Sequence, residues 1–168
     1  HLSDRRQRQM CIRDRVSTKK RRSLGIGYIG LAHYIAKHGV KYSDPKAWEL
    51  VDRLSEAFQY NLLRASCNIA MEKGKCEGFE RTKYADGLLP IDHYKKEVDE
   101  IVPHKQRMAW ESLRKDIAKY GLRHSTLSAQ MPSESSSVVS NETNGIEPPR
   151  ALLLSLIHIS EPTRQWQI

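Results

Sequence analysis

The chain is short of the residues that build the common kinds of functional site. Its 168 residues include three cysteines, Cys11, Cys67 and Cys76. They form no CxxC pair and no zinc spacing with the scattered histidines, so neither a disulfide scaffold nor a metal site is expected, and a reducing, cytoplasmic home fits. His33 and His38 are five residues apart and point to different faces of a helix, which argues against a metal pair. No apolar run approaches 18 residues, and no charged-then-apolar leader ends in small residues, which predicts neither a membrane span nor a secretion signal. The glycosylation-type triplet Asn141, Glu142, Thr143 is therefore incidental. HExxH, GxSxG and Walker patterns are all missing, which removes the chemistries those spacings serve.

Charge is present in excess, with a formal net of +8, but it is concentrated. Five arginines (Arg5, Arg6, Arg8, Arg13, Arg15) stand against Asp4 and Asp14 near the start, and Lys19, Lys20, Arg21 and Arg22 follow as a run. The remainder of the chain is nearly neutral, so a nucleic-acid function is not expected. The length and the 39% hydrophobic content allow one modest core and ask for no second domain.

The two ends, "RRQRQMCIRDR" and "LSLIHISEPTR", show neither helical nor strand periodicity. They are related through DNA. One codon choice for Met10 to Asp14, read on the opposite strand, translates as Leu, Ser, Leu, Ile, His, Ile, which is the run from Leu154 to Ile159. Both ends resemble translations of the transposase adapter used to prepare sequencing libraries. Residues 1–15 are thus expected to be an adapter-like, disordered artefact, residues 154–168 a second artefact, and residues 16–153 natural sequence truncated at both ends.

Within that stretch, "RRSLGIGYIGLAHYIAKHG" predicts an extended segment turning helical near Tyr28 and stopping at Gly39. Gly25, Gly27 and Gly30 match GxGxxG, but no buried strand precedes them and Asp44 and Asp52 fall in the next helix. Close backbone packing is preferred to dinucleotide binding. A long core helix is expected from a cap at Ser43 or Asp44, with Pro45 in its first turn, to Gly74. Trp48 and Tyr60 are expected to be packing or surface aromatics, Cys67 a buried small residue, and Cys76 part of a loop. "IDHYKKEVDEIV" predicts a second helix, and "PHKQRMAWESLRKDIAKYG" a third that starts near Pro103, faces inward at Met108, Leu113 and Ile117, and ends at Gly121. "LRHSTLSAQ" predicts a buried strand.

After that strand, "MPSESSSVVSN" breaks at Met131 and Pro132 and is expected to open a short helix whose first turn is Ser133 to Ser136. Free backbone amides at a helix start, with serine hydroxyls beside them, can hold a phosphate without a lysine. The same composition describes a flexible linker equally well, and the two readings stay open on composition alone.

The stretches "RRSLGIGYIGLAHYIAKHGVKYSD", "CEGFERTKYADGLLPIDHYKKEVDEIV" and "GLRHSTLSAQMPSESSSVVSNETNGIEPPR" closely resemble the large (alpha) subunit of class I aerobic ribonucleoside-diphosphate reductase of the bacterial type. The resemblance implies an α/β fold, here a predominantly helical fragment of a ten-stranded α/β barrel, and the radical reduction of ribonucleoside diphosphates to deoxyribonucleotides. It implies that Pro132, Ser133, Glu134, Ser135 and Ser136 bind the substrate diphosphate. The family also needs a radical cysteine, a redox cysteine pair, an Asn and a Glu beside the radical cysteine, and two relay tyrosines. Cys67 and Cys76 lie in none of those contexts and no Tyr-Tyr pair is present. The chain by itself is therefore expected to have no catalytic residue, no cofactor, no allosteric ATP site and no activity. In the parent, a small (beta) radical-generating subunit carrying a metal/radical cofactor, thioredoxin or glutaredoxin as reductant, and a second large subunit would be partners, with neither nucleic acid nor membrane. The alternative is a small helical binding module with a flexible, protease-sensitive segment at 129–151.

Overall fold

A computed structural model describes residues 2–101 and 105–149. These form five α-helices, α1 (Leu2–Arg21), α2 (Leu31–Lys37), α3 (Pro45–Lys73), α4 (Trp110–Tyr120) and α5 (Glu134–Ser140), with short 3-10 turns at Phe79–Arg81, Pro90–Asp92 and Lys96–Glu100. The fold class is mainly helical, with no strand longer than an isolated bridge among the described residues. No helix among them is long and apolar enough to cross a membrane. The chain divides into two compact units. Among the described residues, one comprises 2–27, 43–101 and 105–131, the other 28–42 and 132–149.

The first unit is organised by α3. Asp44 sits at its N-cap in extended backbone and Pro45 follows at the first helical position, where its fixed φ suits a helix and its missing N–H costs nothing. At the other end Gly74 adopts φ 79° and returns its N–H to the Ala70 carbonyl at 2.8 Å. Arg123 Nη1 donates to the carbonyls of Lys73 and Gly74, both at 3.0 Å, satisfying acceptors that the helix end leaves open. Leu63 and Cys67 of α3 share one buried cluster with Trp110, Leu113 and Ile117 of α4, and with Cys76, Phe79, Leu89, Leu122 and Leu127 from the connecting segments. Each fully buried aliphatic side chain of this kind contributes roughly 1.5–3 kcal/mol. Tyr60 meets Trp110 edge-on at 5.3 Å, whereas Trp48 is a surface residue.

Four elements differ from the sequence expectations. Residues 2–21 are helical where 1–15 were expected to lack order. Arginine, lysine, glutamine and methionine favour helix intrinsically, and α1 needs no apolar stripe, since residues 11–21 are all exposed. The "IDHYKKEVDEIV" helix is replaced by two 3-10 turns. Asp92 accepts the Leu89 N–H at 2.7 Å and two bonds from Arg114, at 2.8 and 3.1 Å, which closes the first turn on itself. Val98 and Ile101 remain exposed, so burial of an apolar face does not hold these residues in a helix.

Helix α4 begins at Trp110, after the stretch expected to start it near Pro103, which lies outside the described residues. Glu56 accounts for the delay, because its carboxylate binds the amides of Arg107 and Met108 and holds residues 107–109 out of the helix, as described below. Finally, the strand expected at "LRHSTLSAQ" is a single parallel bridge, Ile26 with Ser128. Three hydrogen bonds carry it, from Leu24 N to Thr126 O, Ile26 N to Leu127 O and Ala129 N to Ile26 O, at 2.9, 2.9 and 3.0 Å. One pair of short segments does not propagate a ladder without further strands beside it.

Gly27 explains the closeness of that pairing. A Cβ at this position would lie 2.3 Å from the Ala129 carbonyl oxygen, so only glycine allows the approach. Gly27 of the GxGxxG pattern thus serves backbone packing, of segment against segment. The pattern does not open a dinucleotide-binding βαβ unit among the described residues.

Candidate functional site

The serine loop belongs to the second unit, built from α2, α5 and the turn that follows α5. Pro132 precedes the cap and Ser133 is the N-cap of α5, with Glu134, Ser135 and Ser136 as its first three helical residues. The first turn falls where the sequence placed it, because proline ends the extended segment and serine favours the cap. Asn141 closes the helix in left-handed backbone, φ 52°, sending its N–H to Val138 O at 3.2 Å. Asparagine tolerates this conformation better than other residues with side chains.

Ser133 is buried while Pro132, Glu134, Ser135 and Ser136 are exposed. Its polar groups are all engaged within the loop. The amide and hydroxyl donate to Asn144 Oδ1 at 3.0 and 2.9 Å, the hydroxyl accepts the Gly145 N–H at 3.1 Å, and the carbonyl accepts the Ser137 N–H at 2.8 Å. The amides of Glu134, Ser135 and Ser136 find no acceptor among the described residues, as expected for the first turn of a helix. They and the hydroxyls of Ser135 and Ser136 are the loop's free donors. Ser133, which the sequence grouped with them, holds the loop in place instead.

The turn at 141–145 is tied to α2. Gly30, at φ 76°, caps α2 and donates its N–H to Thr143 O at 2.9 Å, and Leu31 N–H reaches Gly145 O at 3.4 Å. The Glu142 carboxylate pairs with His33 Nδ1 at 2.6 Å and lies where a Gly30 side chain would stand, so glycine is required there on both conformational and steric grounds. An acid beside the first turn of α2 also complements the helix dipole.

Other reactive groups are structural. Cys67 and Cys76 are buried free thiols, 0% and 2% exposed, and burial pushes both thiols up, away from the nucleophilic thiolate. Ser66 Oγ and His124 Nδ1 lie 3.0 Å apart, and desolvation, helped by Arg123 and Arg22, lowers the imidazole. Among the described residues no carboxylate is hydrogen-bonded to that histidine. No three His, Cys, Asp or Glu side chains among the described residues could share a metal. In the first unit an open cavity of about 630 Å³ is bordered by Lys20, Arg21, Arg81, Lys83 and His93, with Glu77 among them. Sequence spacing carried no sign of it, because those residues come from three separate segments.

Comparison with known proteins identifies the family of the chain. The family model for the ribonucleotide reductase barrel domain matches residues 6–160. The chain is 60% identical over 137 residues to a ribonucleoside-diphosphate reductase subunit alpha from Buchnera aphidicola and 59% identical over 134 residues to one from Haemophilus influenzae. It is 56% identical over 130 residues to the ribonucleoside-diphosphate reductase 1 subunit alpha of Escherichia coli. These alignments cover 82%, 80% and 77% of the chain but only 18%, 18% and 17% of the relatives, so the chain spans less than a fifth of their length. The chain belongs to the ribonucleotide reductase barrel-domain family, as a partial segment of the large-subunit type.

Proposed function

We propose that this segment holds the diphosphate of a ribonucleoside diphosphate in a reductase that converts it to the deoxyribonucleotide. The observation that carries the reading is the Pro132, Ser133, Glu134, Ser135, Ser136 sequence at a helix start, with three successive amides and two hydroxyls free to donate. Anions suit such a position because the unsatisfied N–H groups converge and carry partial positive charge. Glu134 contributes through its amide, with its carboxylate turned to solvent and away from the anion.

In the complete large subunit the segment would form one part of a ten-stranded α/β barrel. Anchoring the diphosphate would fix the ribose over a radical cysteine supplied from elsewhere in the barrel. Positioning of this kind contributes up to roughly 7–11 kcal/mol in ideal intramolecular models. The large-subunit homodimer, the small subunit with its metal/radical cofactor, thioredoxin or glutaredoxin as electron source, and a cytoplasmic setting complete the proposal. Alone, the segment would be inactive.

The test is titration of the full-length subunit with a ribonucleoside diphosphate. Ser135→Pro deletes an amide donor and is expected to weaken binding more than Glu134→Ala, which keeps every amide. The reverse order would sink the reading.

A further inference from the structure

We infer that Asn144 is a positioning residue for the diphosphate loop; this rests on the reading of Pro132 to Ser136 as that loop. Ser133 sends both its amide and its hydroxyl to one atom, Asn144 Oδ1, at 3.0 and 2.9 Å. An amide oxygen with two lone pairs can accept both at once. Gly145 N–H then closes the circuit onto the Ser133 hydroxyl at 3.1 Å. Ser133 is only 6% exposed, so water cannot readily replace either bond.

Asn144 is itself held from both sides of the turn. Glu142 N–H donates to Ser137 O at 2.8 Å, Gly30 and Leu31 donate to the carbonyls of Thr143 and Gly145, and His33 pairs with the Glu142 carboxylate. The asparagine is therefore a fixed acceptor that aims Ser133, and Ser133 aims the three amides that follow it. Removing it would leave two buried donors of Ser133 without a partner and release the loop's first residue. Because the diphosphate is the same group before and during reaction, loss of this aim would weaken ground state and transition state alike.

The experiment uses the complete subunit carrying Asn144→Ala, Ser133→Ala and both together, with steady-state KM and kcat for a ribonucleoside diphosphate. Asn144→Ala is expected to raise KM about tenfold, the scale of a lost buried hydrogen-bonding partner, with kcat within about threefold. The double variant is expected to fall short of the summed effects of the single ones, since the hydroxyl-to-Asn144 bond is shared and is lost only once. A KM within about twofold of the parent, additive effects, or a loss confined to kcat would overturn the inference. If Asn144→Ala does not accumulate folded, Ser133→Ala alone decides: a raised KM supports the inference, an unchanged one overturns it. Ser135→Pro separates the two levels. If it raises KM while Asn144→Ala does not, only the positioning role fails; if neither raises KM, the diphosphate-loop reading fails with it.

Discussion

Glu56, a buried carboxylate of α3, gathers the segment that leads into α4. Its Oε1 accepts from Arg107 N at 2.8 Å, Met108 N at 3.1 Å and Trp110 Nε1 at 3.0 Å, and Oε2 from Arg107 Nη1 at 3.3 Å. Burial alone would raise this carboxyl, but the N–H donors of Arg107, Trp110 and Met108 outweigh it and hold the group below its ordinary value of 4.5. A depressed acid stabilises the fold above the unfolded value and loses that contribution as pH falls through the folded one. Hydrogen-exchange protection of the α4 amides is therefore expected to weaken below about pH 4.5 in the parent chain and much less in Glu56→Gln. Glu56→Ala, which strands three donors, is expected to cost about 3 kcal/mol in the same measurement. His124 adds a separate acid step. Its imidazole is held below 6.5 chiefly by burial, so its contribution is present above that pH and fades as pH drops through the lowered value. Ser66→Ala is expected to remove about 1 kcal/mol by breaking its hydrogen bond.

Elements end and meet where glycine permits, and the glycines are not equivalent. Gly39 adopts φ 68° with open space where a Cβ would stand, so Gly39→Ala carries only backbone strain, about 1 kcal/mol. Gly27 has an ordinary φ, but its Cβ would strike the Ala129 carbonyl. Gly27→Ala is expected to separate the Ile26–Ser128 bridge and expose the amides of Ile26 and Ala129 to exchange, while Gly39→Ala leaves both protected. Equal effects would show that the close approach is not what holds the pair. The element boundaries legible in the sequence were those set by local chemistry: Pro45 and Gly74 around α3, Gly121 after α4, and Pro132 with Ser133 before α5. Those misjudged depended on distant partners. The start of α4 answers to Glu56, over fifty residues away, and the Pro90–Asp92 turn answers to Arg114.

At the scale of the molecule, the segment keeps apolar surface that a complete barrel would be expected to cover. Val139 is 89% exposed, Ile101 69% and Val138 54%. Expressed alone, the 168-residue chain is expected to bind a hydrophobic dye, to melt without a sharp cooperative transition and to dissolve poorly, as a barrel slice lacking its neighbours should. A sharp two-state melt would count against the fragment reading and favour a self-sufficient module. Limited proteolysis separates the same alternatives, since a flexible linker at 129–151 would be cut first, whereas the hydrogen-bonded loop around Ser133 and Asn144 should resist. From the sequence alone followed the helical character of α2 to α5, the absence of membrane-spanning and zinc-motif patterns, and, through the PSESS stretch, the kinship with ribonucleotide reductases, because caps, periodicity and short motifs are local. Only the tertiary structure decided that Ser133 is the loop's anchor while the next three residues are its free donors. That division depends on Asn144 arriving eleven residues later on a turn held by α2, and no local pattern encodes such a meeting.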